Sequence, residues 1–395
     1  MADVYIQVRL ADMEVYVHGM ACTPTEVMDE MCKQVDNGRL SNIKVSHVLV
    51  QGNIPWKNPK YYGELFVYLQ IIIYKQQDCS KCSKIRSKCL FVCDNMRKLV
   101  NEVPNKWLTI VGHADCYSIF LSEIAKMYTS FTAPVDVAIV SVTPPDQFGY
   151  CSMGVSIDCT SSAVRAAKKI IGLVNETVPR TFGDSLIHSS HFDKIVRTNR
   201  PVYSIPRQED GTVNVVEQKI GELIANNLVS DGATLQMGIG GIPDATLAQM
   251  VNHKDLGVHT ELFGDGVTNL IKKGVITNAR KTLDPGKIVS CFAFGSQSLY
   301  DFIDNNPFFL FRACSYTNEP QVIRKQHRMT AINSAIEVDL TGQVCADSIG
   351  TRIYSGTPSV FTHLFDYLHT LIPPGRRFVP FKGDWDSSAF VPAGL

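Results

Sequence analysis

The sequence predicts an α/β protein built from two related, open, mostly parallel sheets. Three observations lead there: a strand–glycine loop–helix unit that occurs twice, apolar β-branched runs separated by helical segments, and a length of 395 residues, more than one hydrophobic core usually organises.

The unit is clearest in the second half. Val216, Ile220, Leu223, Ile224 and Leu228 recur at helical spacing with Glu217, Lys219 and Glu222 between them, so 215–228 reads as an amphipathic helix. Ser230-Asp231-Gly232 then makes a turn, 233–237 reads as a short buried strand, and Gly238-Ile239-Gly240-Gly241-Ile242 forms a tight loop. Pro243 is expected to open the next helix, because its fixed φ suits the first helical position and its missing N–H is not needed there.

Setting 12–31 against 231–250 without a gap aligns Asp12 with Asp231, Gly19 with Gly238, Pro24 with Pro243 and Met31 with Met250. Glycine and proline thus fall at equivalent corners, the mark of an internal repeat. The helix at 215–228 has no room for a counterpart before residue 9, so the first half is expected to begin almost at its first strand.

The remaining elements follow the same logic. Val135 to Val142 is an apolar strand closed by Pro144-Pro145, and Ser161 to Val174 is expected to be a helix. Strands are read at 258–263, 288–294, 308–313 and 331–340, with helices or turns between them, which argues for parallel sheets covered on both faces. The boundary between domains is placed in the polar stretch Thr198 to Gly211, giving 1–205 and 206–356.

Composition narrows the function classes. With 45% hydrophobic residues and 38 basic against 38 acidic side chains, the chain has no long-range pull toward nucleic acid or an anionic membrane. The longest apolar run, Leu65 to Tyr74, is interrupted by Gln70 and is shorter than the ~20 residues a spanning helix needs. The first residues lack both secretory and transit-peptide patterns, so an intracellular chain is expected, and twelve scattered cysteines fit reduced thiols better than a disulfide framework.

Two features could carry chemistry. A glycine loop between strand and helix exposes backbone N–H groups to phosphates or oxyanions, and Gly238-x-Gly240-Gly241 has that context. A dinucleotide fingerprint needs a third glycine where this chain has Pro243, which disfavours a nicotinamide oxidoreductase although Glu261 lies at a fitting distance for a ribose contact. Tight packing alone also explains such glycines. Glu261 ends the strand 258–263, where a parallel sheet gathers its ligands, although an ion-paired or capping carboxylate would look the same. His188 and His191 have Ser185, Ser189 and Asp193 nearby, but no nucleophile elbow surrounds those serines, so polar loop roles are favoured.

The stretches 235–246, 256–279 and 331–356, with 15–19, 134–160 and 179–191 in the first half, resemble the acetyl-CoA hydrolase/transferase family and, within it, the 4-hydroxybutyrate CoA-transferases. The resemblance implies class I CoA-transferase domains with the site in the cleft between them. It implies that Glu261 is the nucleophile, forming a glutamyl-CoA thioester, and that Gly238, Ile239, Gly240, Gly241, Ile242, Asn333 and Ile336 contact coenzyme A. The substrates would be acyl-CoA and small carboxylic acids, with no resident cofactor and no metal. A homo-oligomer and a mitochondrial setting are also implied.

The chain departs from the family pattern in two places. Residues 65–86 read as an insertion carrying Cys79, Cys82, Cys89 and Cys93, whose spacing suits incidental thiols better than zinc. After 356 a second glycine-rich turn is expected, yet the chain reads Thr357-Pro358-Ser359, so 357–395 is treated as a divergent tail. A non-catalytic protein that keeps Glu261 but lacks part of the coenzyme pocket is the alternative reading.

Overall fold

The computed structural model describes residues 10–61, 84–92, 94–101, 114–117, 119–205, 214–340, 343–346, 348–350, 352–353 and 377–382. In chain order the first half contains β1 (Leu10–Val17), α1 (Thr25–Asp36), β2 (Leu40–His47), β3 (Ile85–Cys89), α2 (Asp94–Asn101) and β4 (Ala114–Cys116). It continues with α3 (Leu121–Thr129), β5 (Val135–Val142), β6 (Tyr150–Ser152), α4 (Thr160–Ala166), β7 (Ala167–Asn175), β8 (Leu186–His188) and β9 (Lys194–Thr198).

The second half opens with α5 (Val215–Leu228), β10 (Thr234–Gln236), α6 (Gly241–Gln249), β11 (Gly257–Phe263), α7 (Gly266–Lys272) and β12 (Ile288–Ala293). Then come α8 (Gln297–Ile303), β13 (Phe309–Phe311), α9 (Cys314–Thr317), α10 (Pro320–Ile323) and β14 (Met329–Ala335). The short pairs β15 (Glu337–Val338) with β16 (Val344–Cys345) and β17 (Ser348–Ile349) with β18 (Arg352–Ile353) precede β19 (Arg377–Lys382).

The two main sheets share one plan. Their strand orders are β4-β3-β2-β1-β5-β7-β9 and β13-β12-β11-β10-β14-β19. Each therefore builds outward from its first strand in both directions, with β1 matching β10, β2 matching β11 and β5 matching β14. Both sheets are parallel throughout. The segment read as a tail supplies the last of these strands: β19 pairs with β14 from Thr330↔Arg377 to Ala335↔Lys382.

Alternation along β1 sorts two cores. Met13, Val15 and Val17 face Met28, Met31, Cys32 and Trp56 on one side, whereas Tyr16 joins the larger cluster that runs into the second half. Segment 155–158 is the seam. Ile157 and Asp158 both donate N–H to the Cys291 carbonyl, at 2.8 and 3.2 Å, and Ala293 donates to Val155 at 2.9 Å, so the first half docks along β12 by backbone bonds. Among the described residues no helix is long and apolar enough to cross a membrane, and no group of three or more metal-ligating side chains is present.

Several expectations need correction. The helix expected at 161–174 is only the short α4, followed by β7. Apolar residues at 163, 164, 166, 167, 170, 171, 173 and 174 satisfy a helical period, but Ile170, Ile171 and Val174 are β-branched. The stretch is also flanked by waiting partners, β5 over seven residue pairs and β9 over five, which decide the matter. The strand expected at 331–340 breaks at Ile336 into β14 and β15. Pro243 is the third residue of α6 rather than the first, still within the turn whose N–H groups have no intrahelical acceptor. The insertion read at 65–86 ends earlier than expected, since Ile85 and Arg86 already pair with Ile43 and Lys44. Its residues 65–83, with Cys79 and Cys82, lie outside the described residues, as do Cys93 and 357–376.

The helix at 215–228 forms as expected. Asn214 caps it, its side-chain oxygen accepting from the N–H groups of Val216 and Glu217. Ile220, Gly221, Ile224 and Ala225 are its buried face, while Val216 and Leu223 stay exposed.

Candidate active site

β11 carries His259 and Glu261 on one face. His259 is fully buried; the Gln326 amide reaches its Nδ1 at 3.2 Å, so its Nε2–H donates to the Thr317 carbonyl at 2.9 Å. This fixes the segment Thr317-Asn318 beside the strand. Glu261 is the next residue on that face, half-buried, and the Asn318 Nδ2–H donates to its Oε2 at 2.9 Å.

The orientation of Asn318 is itself determined. Its Oδ1 accepts from the Thr317 hydroxyl at 2.9 Å and from the Cys291 thiol at 3.5 Å, which leaves the NH2 end for the carboxylate. Burial, and next the nearby Glu261 charge, push the Cys291 thiol well above its ordinary pKa. Cys291 is thus a neutral S–H donor rather than a nucleophile.

On the opposite face of β11, Thr260 ties the strand to the glycine loop. Its Oγ1 accepts from Met237 N–H at 3.1 Å and donates to the Met237 carbonyl at 2.8 Å. Leu235 is paired with Val258 on one side and with Thr330 on the other. Counting three residues on from each brings Gly238, Glu261 and Asn333 to one level at the carboxyl ends of three adjacent strands.

The loop is open where the site needs it. A Cβ at Gly238 or Gly240 would meet nothing within 4 Å, and Gly240 has φ 122°, a conformation that side chains rarely adopt. Gly241 is constrained differently, since a Cβ there would fall 2.2 Å from the Glu217 carboxylate. Ile239 packs its methyl against Gly264, and Ile242 is buried under the loop as the second residue of α6. Asp244, in the first turn of α6, is held up at a pKa of about 6, first by desolvation and then by the charges of Asp265 and Glu217.

Asn333 stands at the same end of the sheet, but its carboxamide is engaged at both ends. Gln236 donates to its Oδ1 at 3.0 Å and accepts from its Nδ2 at 2.7 Å, and both residues are buried. Ile336 lies three residues on, half-buried at the bend, with its N–H on the Cys345 carbonyl at 2.8 Å. The structure therefore gathers Glu261, the loop and Asn333, and sets Ile336 just beyond them. Asn318 and Gln236 had no local signal in the sequence: each is a lone polar residue defined only by a partner 57 or 97 positions away.

The sister turn in the first half is sealed. With Tyr16 in the place of Leu235, the position matching Glu261 is Leu49, and a Cβ at Gly19 would lie 2.9 Å from the Leu49 carbonyl oxygen. One copy of the turn is open and the other is closed by packing.

The profile of the acetyl-CoA hydrolase/transferase N-terminal domain matches residues 60–206 and that of the C-terminal domain matches 295–364. The chain belongs to the acetyl-CoA hydrolase/transferase family. It is 41% identical to a succinyl-CoA:acetate/propanoyl-CoA:succinate CoA transferase of Fasciola hepatica, over 87% of this chain and 64% of that protein. It is 46% identical to a 4-hydroxybutyrate coenzyme A transferase of Clostridium kluyveri, over 69% of this chain and 60% of that protein. The chain thus spans less than two thirds of the length of either relative. Among solved structures, a 4-hydroxybutyrate CoA-transferase from Porphyromonas gingivalis superposes with a TM-score of 0.67 at 34% identity, over 85% of this chain and 72% of that one. RipA from Yersinia pestis, 24% identical, shares the fold with a TM-score of 0.76 over 94% of this chain and 78% of its own.

Proposed function

We propose that this family member is an acyl-CoA:carboxylate CoA-transferase of the 4-hydroxybutyrate, acetate or butyrate type, with Glu261 as nucleophile. The observation that supports it is the Glu261 carboxylate at the carboxyl end of β11, one oxygen held by Asn318, on a level with an open glycine loop.

The chemistry follows from these positions. The Glu261 carboxylate attacks the thioester carbonyl carbon, the C–S bond breaks, and CoA thiolate leaves an acyl-glutamyl anhydride. The thiolate then attacks the glutamyl carbon, expelling the first acid as its carboxylate and leaving a glutamyl-CoA thioester. An incoming carboxylate reverses the sequence. Each attack on the glutamyl carbon places negative charge on an oxygen of Glu261, and the Asn318 N–H is already directed at that carboxyl group. Backbone N–H groups at 238–242 would serve the acyl oxygen and coenzyme A, and Asn333 would join them by exchanging its bond to Gln236. Water in place of the acceptor acid gives slow acyl-CoA hydrolysis. We extend the proposal to a homo-oligomer in a mitochondrial setting.

The test is mass spectrometry of the purified chain after incubation with acetyl-CoA or butyryl-CoA. A CoA adduct on the Glu261 peptide that disappears in Glu261→Gln supports the reading. Folded protein that neither binds CoA nor forms the adduct replaces it with the non-catalytic alternative.

A further inference from the structure

The first half contains a cavity of about 810 Å3, and its described lining residues all fall between 150 and 193. Its floor is Met153, Ser161, Val164, Ile170 and Ile187, each at most 9% exposed. Four of these are apolar. The fifth, Ser161, has an Oγ with no hydrogen-bond partner among the described residues. A buried hydroxyl left without a partner is destabilising, and a ligand atom or water can restore its hydrogen bond.

The rim is polar, and most of its charges are already committed. Lys168 is paired with Asp136 at 2.8 Å. Asp184 holds Arg312 and the Ala313 N–H, and Asp193 accepts the Ile170 N–H. His188 accepts at Nδ1 from Ser190 and directs its Nε2 to the Phe148 carbonyl. Arg165 is exposed at the rim and makes no ion pair among the described residues; His191 also lines the cavity, with its ring 6.4 Å from that of His188.

We propose that this cavity binds an organic monoanion with an apolar body, of the medium-chain carboxylate type, with Arg165 as the anion's partner. The apolar floor removes hydrocarbon from water, and the volume falls within the roughly 300–1,000 Å3 of small-molecule sites. The planar guanidinium takes a carboxylate through two parallel N–H bonds. Asp193 on the same rim opposes a second negative charge, so a single carboxylate is favoured over a phosphate or diphosphate. Among the described residues, neither Glu261 nor any other residue of the second half lines the cavity.

The test is calorimetric titration of the full chain with octanoate, with butyrate and inorganic phosphate as comparisons. Saturable one-to-one binding of octanoate is expected, at least about tenfold weaker for butyrate and for Arg165→Ala, and unchanged in Glu261→Gln. Arg165 is a surface residue of α4, so its variant should fold; an unchanged thermal midpoint verifies this. Absence of saturable binding overturns the proposal. So does binding that Arg165→Ala leaves intact, that Glu261→Gln abolishes, or that inorganic phosphate matches.

Discussion

Asn318 and Glu261 meet because two neighbours of Asn318 occupy its oxygen: Thr317 and Cys291 both donate to Oδ1, and only the N–H end remains for the carboxylate. Asn318→Ala is expected to lower kcat by about 10²-fold, the range for losing one preorganised oxyanion donor, with little change in the KM for acyl-CoA. Asn318→Asp puts a second carboxylate against Glu261, so the acid limb of the pH–rate profile should move upward. Steady-state kinetics across pH measure both, and a profile that does not move would count against the contact.

Gly240 and Gly19 separate the two turns. Gly240→Ala forces a side chain into φ 122°, so about 1–3 kcal/mol of backbone strain and a fall in kcat/KM are expected together. Gly19→Ala drives a methyl onto the Leu49 carbonyl and should cost stability while sparing the activity of whatever remains folded. Denaturant melts paired with kinetics tell the two outcomes apart.

Gln236 and Asn333 form a closed amide pair, which makes their effects non-additive. Either residue changed alone to Leu leaves a buried carboxamide without its partner, at about 1–3 kcal/mol. The double variant should recover much of that loss, read as a coupling energy from a double-mutant cycle.

Lys281 is 4% exposed, with its ammonium on the carbonyls of Val258 and Lys287, and burial lowers its pKa from 10.5 to about 7. Between these values the unfolded chain holds the proton and the folded chain does not, so this residue's contribution to stability rises with pH from 7 upward and is flat below. The linkage amounts to about 2 kcal/mol between pH 7 and 9. Lys281→Met should remove that slope, measured as the difference between the two proteins' unfolding free energies at the two pH values.

The sequence was most informative where geometry is local. The Val135–Val142 strand, the 215–228 helix and the glycine loop each declare themselves within at most 14 residues, and the matched Gly and Pro corners foretold two sheets that prove to share a strand order. It was least informative where partners are distant. β7 carries a helical period and becomes a strand because β5 and β9 lie on either side, and Asn318 acquires its part only when α9 closes over β11. Pro243 shows the same limit at small scale: the helix it was expected to start begins two residues earlier, at Gly241.

The strand order also dictates when parts can come together during synthesis. The first sheet is complete once residue 198 has emerged, and the core of Met13, Val15 and Val17 against α1 can form while the remainder is still being translated. The second sheet needs its central β10 to wait for β14, nearly a hundred residues later, and β14 to wait for β19. Glu261 is therefore made early and finished late. A ribosome that pauses between 263 and 318 would hold a nascent chain whose first half is folded and whose carboxylate has not yet been aimed.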